Sequence, residues 1–246
     1  MSELKVSVAM AAYNGEKYIT EQIESILPQL RDVDELVISI NPSTDRTEEI
    51  VREYQHNDSR IKISICNIPG VLANFENAIS QCRNDIIFLS DQDDIWVEDK
   101  VEKQLKMFSD PSIGGVCHGC KYIDGDGKLM GIQPVLVSNR VIKCWEIIKK
   151  NPVQGSTLAF RRELMKYFLP FPDGIPMHDS WIGIIIARFL KLEIISDRLV
   201  LYRQHEEQVT SRKHKPIVMM LTDRIKLYFL YKKRISNIQS QLRVTK

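Results

Sequence analysis

The chain has 246 residues, of which 43% are hydrophobic and 27% charged, and its formal net charge is +2. This composition suits one large folded domain or two small ones and excludes a chain that is disordered throughout. The longest uncharged apolar run, residues 181–187, falls far short of the roughly 20 residues that span a bilayer, and no signal peptide precedes the first strand, so we expect a cytoplasmic protein.

The N-terminal part of the chain alternates strands with helices. Strands are predicted at residues 5–12, 36–40, 61–65 and 86–89, with helical spacing of apolar residues between them at 19–30, 44–54 and 71–82. Short connections between such elements predict a mostly parallel α/β sheet covered by helices on both faces. The carboxyl ends of its strands should line one edge of the sheet, where ligands bind in open α/β folds.

Three acids follow the fourth predicted strand within four positions: Asp91, Asp93 and Asp94. Like charges this close raise one another's pKa values unless a positive charge lies among them. A divalent cation that carries a diphosphate would resolve the conflict, because carboxylate oxygens suit Mg²⁺ and Mn²⁺. The alternative is a helix N-cap, with Asp91 or Asp94 opening a helix that starts near Glu98.

The pattern changes after residue 97. A helix is predicted through residues 101–108, a strand near 116, a hairpin at 122–129, a loop and short strand at 151–160, an apolar helix at 177–190 and a last strand at 199–203. No linker separates the two parts, so we expect them to fold as one compact unit.

Six short motifs occur in the order and spacing found in the family 2 glycosyltransferases. They comprise residues 8–15, 43–45, 90–96, 154–157, 178–181 and 202–205. Over residues 4–210 the sequence resembles the bacterial branch of that family that builds O-antigen or capsule, which includes rhamnosyltransferases. The resemblance implies the GT-A fold, which is Rossmann-like, a nucleotide-diphosphate sugar donor, a Mn²⁺ or Mg²⁺ ion, and inversion at the anomeric carbon.

The resemblance also implies a division of the chain. Residues 1–210 would form the GT-A domain, with a nucleotide-sugar-binding half at 1–97 and an acceptor-binding half at 98–210. Residues 211–246 would form a basic, amphipathic helical tail.

Four matched residues would carry the chemistry. In the DXD motif, Asp93 corresponds to the direct metal ligand, and Asp91 to a second ligand that lies nearer the ribose or sugar of the donor. His205 can also ligate the metal. Asp179 corresponds to the base that deprotonates the acceptor hydroxyl, and the helix dipole is expected to keep its pKa low. A plain helix N-cap is the alternative for Asp179.

The other matched residues would bind the donor or acceptor. Ala12, Tyr13 and Asn14 correspond to the loop that reads the base, and Arg203 to a group that grips two phosphate oxygens. The nucleotide, the donor sugar or the acceptor would contact Asn74, Gln154, Gly155, Ser156 and Trp181. Two alternatives stay open, since a turn alone explains Asn14 and core packing explains Trp181 as well as stacking on a sugar does.

One position departs from the family pattern. Where the family usually has an acid that contacts the nucleoside, this chain has Asn41 followed by Pro42. Asn41 keeps hydrogen-bonding capacity but loses the charge, and Pro42 stiffens the turn. The choice between a UDP- and a dTDP-linked donor therefore stays open.

The tail differs in charge from the rest of the chain. Residues 212–246 contain ten Lys and Arg and one acid, whereas residues 1–211 contain 24 Lys and Arg and 31 acids. The tail also carries an apolar stripe at helical spacing: Ile217, Leu221, Ile225, Tyr228, Tyr231, Ile235, Ile238 and Leu242. Such a segment can lie on an anionic membrane surface, or pack on the domain or on a second subunit of a homodimer. Nucleic acid is not expected as a partner, because the main body is acidic.

We therefore expect a metal-dependent inverting glycosyltransferase that adds a sugar to a hydroxyl of a glycan linked to polyprenyl diphosphate, working in the cytoplasm or on the inner face of the cell membrane. A sugar-nucleotide pyrophosphorylase is one rival, but it requires a Gly-rich, Lys-bearing loop after the first strand, and residues 13–16 do not supply one. A non-catalytic subunit that binds a nucleotide sugar or glycan is the other rival, prompted by Asn41.

Overall fold

The computed structural model describes residues 4–134, 138–205 and 216–244, with side chains up to residue 241. Within these ranges the chain forms nine strands and eight α-helices. The strands are β1 (Val6–Ala12), β2 (Glu35–Ile40), β3 (Ile61–Ile65), β4 (Ile86–Ser90), β5 (Ile95–Trp96), β6 (Ile113–Ile123), β7 (Arg140–Ile142), β8 (Ala159–Arg161) and β9 (Lys191–Arg203). The helices are α1 (Ile19–Ile26), α2 (Thr47–Asn57), α3 (Val71–Gln81), α4 (Lys100–Met107), α5 (Cys144–Lys149), α6 (Met165–Phe168), α7 (His178–Phe189) and α8 (Ile217–Val244).

The described strands form one sheet in the order β3-β2-β1-β4-β8-β6-β9-β5, with β7 paired to β9. β3, β2, β1 and β4 are parallel, as predicted from the alternation of strands and helices. β8 then pairs antiparallel with both β4 and β6, and β5 and β7 pair antiparallel with β9. The predicted α/β fold is confirmed, and its antiparallel pairings all involve strands from the second half of the chain.

Helices cover both faces of the sheet, which divides the core into two clusters. On β1, Val6 and Val8 point into one cluster and Ala9 into the other, and all three are fully buried. The first cluster includes residues of α1, α2 and α4, and the second includes residues of α3, α5 and α7. Parallel strands buried on both faces are expected to be apolar throughout, and the sequences of β1 and β4 are almost wholly so.

The last strand is much longer than its sequence predicts. We predicted a strand at 199–203, whereas β9 begins at Lys191. Its first part contains Lys191, Glu193 and Asp197, so it lacks the apolar run by which a buried strand is recognised. Parallel pairing with β6 nevertheless extends over nearly all of β9, with irregularities between Ile113 and Gly115 and on both sides of Gly119.

The predicted tail forms one continuous helix, α8. Leu227 and Ile238 on α8 are buried, and the helix packs against α5, α6 and α7. The packing alternative therefore holds for this part of the tail, while residues 211–215 and the side chain of Leu242 lie outside the described residues. No helix in the described ranges is both long enough and apolar enough to cross a bilayer.

Candidate active site

The ends of three parallel strands form the floor of the candidate site. β2, β1 and β4 lie side by side, so the loops that follow Ile40, Ala12 and Ser90 leave the sheet at the same edge. This juxtaposition brings together the loop at residues 13–15 and the acids at 91–94, as the motif order predicted. It results from the parallel topology and not from proximity along the chain.

Asp91 and Asp94 are held in an environment that disfavours their charge. Burial raises the pKa of Asp91 to about 7, and the neighbouring carboxylates of Asp93 and Asp179 add to the rise. Burial, with the charges of Asp93 and Asp91, also raises the pKa of Asp94 well above its ordinary value. The influence of Asp179 on Asp91 indicates that these two carboxylates lie near each other in the fold.

The alternative assignment of these acids as helix caps is wrong. Asp99 occupies the N-cap of α4, and the short strand β5 separates it from Asp94. Asp94 is fully buried, and one of its carboxylate oxygens accepts the backbone N–H of Arg203 at 3.0 Å. Its role in the described structure is to join the DXD loop to the end of β9.

A buried lysine lies among the carboxylates, and the sequence analysis missed it. Lys100, at the start of α4, is fully buried, and its ammonium donates to the carbonyl of Ser156 at 2.6 Å. The ammonium also lies 4.0 Å from the centre of the Trp96 ring. Burial lowers the pKa of Lys100 to about 7, against the opposing effect of Asp94 and Asp91. No local pattern marks this residue, because its partner carbonyl is distant in sequence.

Asp93 and His205 form the pair best suited to a metal. The imidazole Nε2 of His205 lies 2.9 Å from a carboxylate oxygen of Asp93, and the ring packs against Tyr18. In the described ranges no three His, Cys, Asp or Glu side chains are close enough together to hold an ion. Mg²⁺ is commonly held by one or two carboxylates plus substrate phosphates, so this donor set fits an ion that arrives with a diphosphate.

Asp179 lies in the first turn of α7, one residue beyond its first position. Met177 occupies the N-cap, so the N-cap alternative for Asp179 is wrong. One carboxylate oxygen of Asp179 accepts a hydrogen bond from the side-chain amide of Asn151 at 3.1 Å. Burial raises the pKa of Asp179 to about 6, although hydrogen bonds from Ser180 and Asn151 lower it. The expectation of a low pKa is therefore wrong, because desolvation outweighs the helix N-terminus.

His178, the residue before Asp179, is buried in the protein and uncharged. His178 is buried, and its ring stacks on Phe75 with ring centres 4.0 Å apart. Burial lowers the pKa of His178 to about 3. A Cβ at Gly155 would lie 2.7 Å from Nε2 of His178, so this contact requires glycine at 155. The close approach predicted at Gly155 thus involves a side chain of α7.

The turn at 154–157 faces the acidic cluster with its backbone. Gly155–Thr157 forms a single 3₁₀ turn in which Ser156 is buried. The carbonyl of Ser156 is occupied by Lys100, and the side chain of Gln154 lies 3.4 Å from the Ser156 hydroxyl. Ser156 is therefore tied to the protein, whereas Gln154 is only half-buried.

The loop after β1 presents an aromatic ring to solvent. The side chain of Tyr13 is 54% exposed, which leaves its ring free to stack on a base. Its backbone N–H donates to the side-chain carbonyl of Gln92 at 2.8 Å, and the Gln92 amide donates back to the Tyr13 carbonyl at 2.8 Å. Asn14 adopts a positive φ of 45°, and its side chain accepts the backbone N–H of Thr44. Gln92 was missed because its partners lie on another loop.

Two predicted donor-binding amides are used inside the protein instead. The Asn41 amide donates to the carbonyls of Cys66 and Ile68, and Asn74 donates to the Ala12 carbonyl at 2.9 Å. Asn41 and Asn74 are both nearly inaccessible. Their assignment to the nucleotide is corrected, because these side chains fix the ends of the strands that carry the loops.

Arg203 and Trp181 also require correction. Arg203 is 2% exposed, and its guanidinium donates to the Asp93 carbonyl at 2.9 Å and pairs with Glu21. The Arg203 guanidinium therefore binds the backbone of the DXD loop and is not available to bind phosphate. Trp181 is fully buried, and its indole N–H donates to the Phe168 carbonyl at 2.9 Å. Core packing is the role of Trp181, since no sugar can reach its ring.

Sequence comparisons agree with the motifs. The family model described as "Glycosyl transferase family 2" matches residues 7–168. A dTDP-rhamnosyl transferase of Shigella flexneri, RfbG, is 42% identical over 220 residues, which cover 80% of this chain and 72% of the relative. A UDP-Glc:alpha-D-GlcNAc-diphosphoundecaprenol beta-1,3-glucosyltransferase of Escherichia coli, WfgD, is 25% identical and covers 88% of this chain and 84% of the relative.

Solved structures with the same arrangement include two with bound sugar nucleotides. S. aureus TarS (residues 1–349) in complex with UDP-GlcNAc has a TM-score of 0.69 at 20% identity, over 86% of this chain and 62% of that one. The mannosyltransferase PcManGT from Pyrobaculum calidifontis in complex with GDP-Man and Mn²⁺ has a TM-score of 0.60 at 22% identity, over 80% of this chain and 56% of that one. At this identity the likeness concerns the fold.

Proposed function

Given that the chain belongs to glycosyltransferase family 2 and has the GT-A fold, we propose that it transfers a sugar, with inversion, from a dTDP- or UDP-linked donor to a hydroxyl of a lipid-linked glycan in bacterial surface polysaccharide synthesis. One observation carries this proposal. A half-buried carboxylate with a raised pKa, Asp179, lies close enough to the DXD acid Asp91 to raise the pKa of Asp91. This proximity supports the proposal that the base and the donor site serve one reaction centre.

The reaction needs a base that works near neutral pH. Asp179, with a pKa of about 6, remains ionised at pH 7 and is a stronger base than an ordinary carboxylate. It would take the proton of the acceptor hydroxyl as that oxygen attacks the anomeric carbon and the bond to the nucleoside diphosphate breaks. Asn151 would hold the carboxylate in place through its amide.

A divalent ion is the proposed cofactor. Asp93 and His205 would hold Mn²⁺ or Mg²⁺, with Asp91 as a third ligand after a movement of its side chain, and the ion would neutralise charge on the departing diphosphate. Burial raises the pKa of Asp91 most, and the added repulsion from Asp93 and Asp179 supports a cation at this position. Tyr13, Asn14 and the 154–157 turn remain the proposed contacts for the base and the sugars.

The names of relatives support the choice of substrates to test. RfbG, at 42% identity, is named a dTDP-rhamnosyl transferase, so dTDP-rhamnose is the first donor to test. The name of WfgD specifies an acceptor on diphosphoundecaprenol, which supports a lipid-linked glycan as the acceptor here. We propose that the protein works on the cytoplasmic face of the cell membrane, where such acceptors are elongated.

The rival functions find less support. Asn41, which prompted the idea of a non-catalytic binding subunit, holds the loop at 66–70 through its amide. Its departure from the family acid therefore bears on loop structure and not on the base or the metal ligands. The loop after β1 is tied down by Gln92, and its single glycine, Gly15, does not make the Gly-rich phosphate loop of a pyrophosphorylase.

A donor panel tests the proposal. The protein is mixed with dTDP-, UDP- and GDP-sugars plus Mn²⁺, and thermal stabilisation is measured alongside release of nucleoside diphosphate. A butanol extract of bacterial polyprenyl-linked glycans serves as the acceptor. We expect one dTDP- or UDP-sugar to raise the melting temperature and to be consumed, and absence of both effects with every sugar would refute the proposal.

A further inference from the structure

The side chains of the C-terminal helix α8 differ in burial between its two ends. One side of the helix is fixed to the domain from Leu227 onwards, because Leu227 and Ile238 are buried and Tyr231 and Ile235 pack against the second core cluster. Arg234 adds a polar anchor by donating to the Leu169 carbonyl at 3.0 Å. Its guanidinium also lies 5.4 Å from the centre of the ring of Trp181, on the helix that carries Asp179.

The first half of α8 carries an apolar face that nothing in the described structure covers. Seven large apolar side chains on this half are 43–76% exposed: Ile217, Val218, Met219, Leu221, Ile225, Tyr228 and Phe229. At 100° per residue all of them except Met219 lie within an arc of about 120° on one side of the helix, and Met219 lies roughly 80° beyond that arc. An exposed apolar patch of this extent marks a surface of interaction. The exposed apolar face lies beside the face of α8 that packs on the domain, so this packing does not cover it.

The charges around this face indicate its partner. Lys226, Lys232 and Lys233 are exposed on the same helix, and residues 212–246 contain ten Lys and Arg against the single acid Asp223. A symmetric contact with a second copy would place these basic side chains against the same set in its partner. An anionic lipid surface complements both properties, since acyl chains take the apolar side chains and headgroups take the lysines.

We propose that the exposed face of α8, from Ile217 to Phe229, docks on an anionic membrane surface. The docking follows from the surface of α8 alone, while its purpose rests on the proposed function. The second half of α8 packs against α7, so a docked helix would hold the base Asp179 at a set position relative to the membrane. A lipid-linked acceptor would then reach the site without leaving the bilayer.

The test is co-sedimentation of the full chain with phosphatidylcholine vesicles prepared with and without phosphatidylglycerol. We expect binding to the anionic vesicles only, weakening as salt screens the lysines. The triple variant Leu221→Ser, Ile225→Ser, Phe229→Ser should bind roughly tenfold more weakly or worse. The matched control is Val33→Ser, Leu129→Ser, Ile132→Ser, which removes three equally exposed apolar side chains elsewhere and should leave binding unchanged.

Two results would overturn the proposal. One is equal binding by the wild type and the α8 triple variant, and the other is a dimer in sedimentation velocity that the α8 triple variant abolishes while no vesicles bind. Release of nucleoside diphosphate, measured without vesicles, separates this proposal from the proposed function. Vesicle binding without release from any donor would refute only the function, and release without vesicle binding would refute only the docking.

Discussion

The ammonium of Lys100 donates a hydrogen bond to the carbonyl of Ser156 at 2.6 Å, linking the helix after the DXD motif to the turn at 154–157. Burial lowers the pKa of Lys100 to about 7, and the nearby carboxylates of Asp94 and Asp91 oppose this lowering and favour its charged form. In the described structure Lys100 thus supplies part of the positive charge that the acidic cluster requires. The bound metal would supply the rest.

Lys100→Met should destabilise the protein strongly. The change leaves a buried carbonyl without its donor and the carboxylates without their internal cation, which typically costs about 3–5 kcal/mol. Chemical unfolding measures this loss, and Mn²⁺ should restore more stability to the variant than to the wild type. Lys103→Met is the control, since Lys103 is 43% exposed in its ion pair with Asp99 and should contribute at most about 1 kcal/mol. Equal, small effects at both positions would contradict this role.

The pH dependence of turnover should follow Asp179. Its pKa is raised from 3.8 to about 6, and only the ionised carboxylate can act as the base. With donor and Mn²⁺ saturating, kcat should therefore rise with pH through an ionisation near 6. A profile that is flat between pH 5 and 7, by initial rates, would contradict the assignment.

Ionisation of Asp179 should lower the free energy of unfolding, although the same ionisation should raise kcat. A carboxyl with a raised pKa binds its proton more tightly in the folded protein than in the unfolded chain, so its stabilising contribution is lost as pH rises from about 4 to 6. Asp179→Asn removes the buried charge and should unfold at a higher temperature than the wild type at pH 7. Thermal melts of both proteins across this range measure the difference, and identical melts would contradict it.

Arg203 should behave as a structural residue. Its guanidinium is buried against the Asp93 carbonyl and Glu21, so Arg203→Met should lower the melting temperature at every donor concentration. Arg140→Met, which removes an exposed partner of Glu146, is the control and should have little effect. A variant at 203 with unchanged melting temperature but lost donor affinity would restore the phosphate-gripping role.

Removal of the metal should abolish turnover reversibly. Chelator should stop release of nucleoside diphosphate, and added Mn²⁺ should restore it. His205→Ala should raise the Mn²⁺ concentration needed for half-maximal rate by roughly tenfold or more, as loss of one ligand implies. The surface residue His56 provides the control, and His56→Ala should leave the metal response unchanged. Turnover that persists in chelator would exclude the proposed cofactor.

The local pattern of apolar and polar residues predicts much of the fold, but it does not predict every residue of the candidate site. The strands β1, β2 and β4 carry apolar runs, so the placement of Asp91 and Asp93 at the edge of the sheet could be predicted, whereas Asp179 was associated with them only through the family resemblance. Arg203 and Asn74 were misassigned because a sequence shows that a polar side chain exists but not which backbone atoms come within its reach.

The residues missed altogether share one cause. Lys100 and Gln92 both bind backbone atoms that lie more than fifty residues away, so no spacing rule could identify them. The prediction of a low pKa for Asp179 was wrong for a similar reason. The helix N-terminus is visible in the sequence, whereas the burial that outweighs it is a property of the assembled fold.

The most direct test of the central claim is turnover by Asp179→Asn. We use the sugar nucleotide that stabilises the wild type most, with the butanol extract as acceptor, and measure release of nucleoside diphosphate. The variant should keep its fold and its stabilisation by donor and Mn²⁺, while its rate falls by roughly 10²–10⁴-fold, the usual contribution of a general base. Asp173→Asn, in the exposed loop before α7, should turn over like the wild type. Full activity in Asp179→Asn would contradict the account.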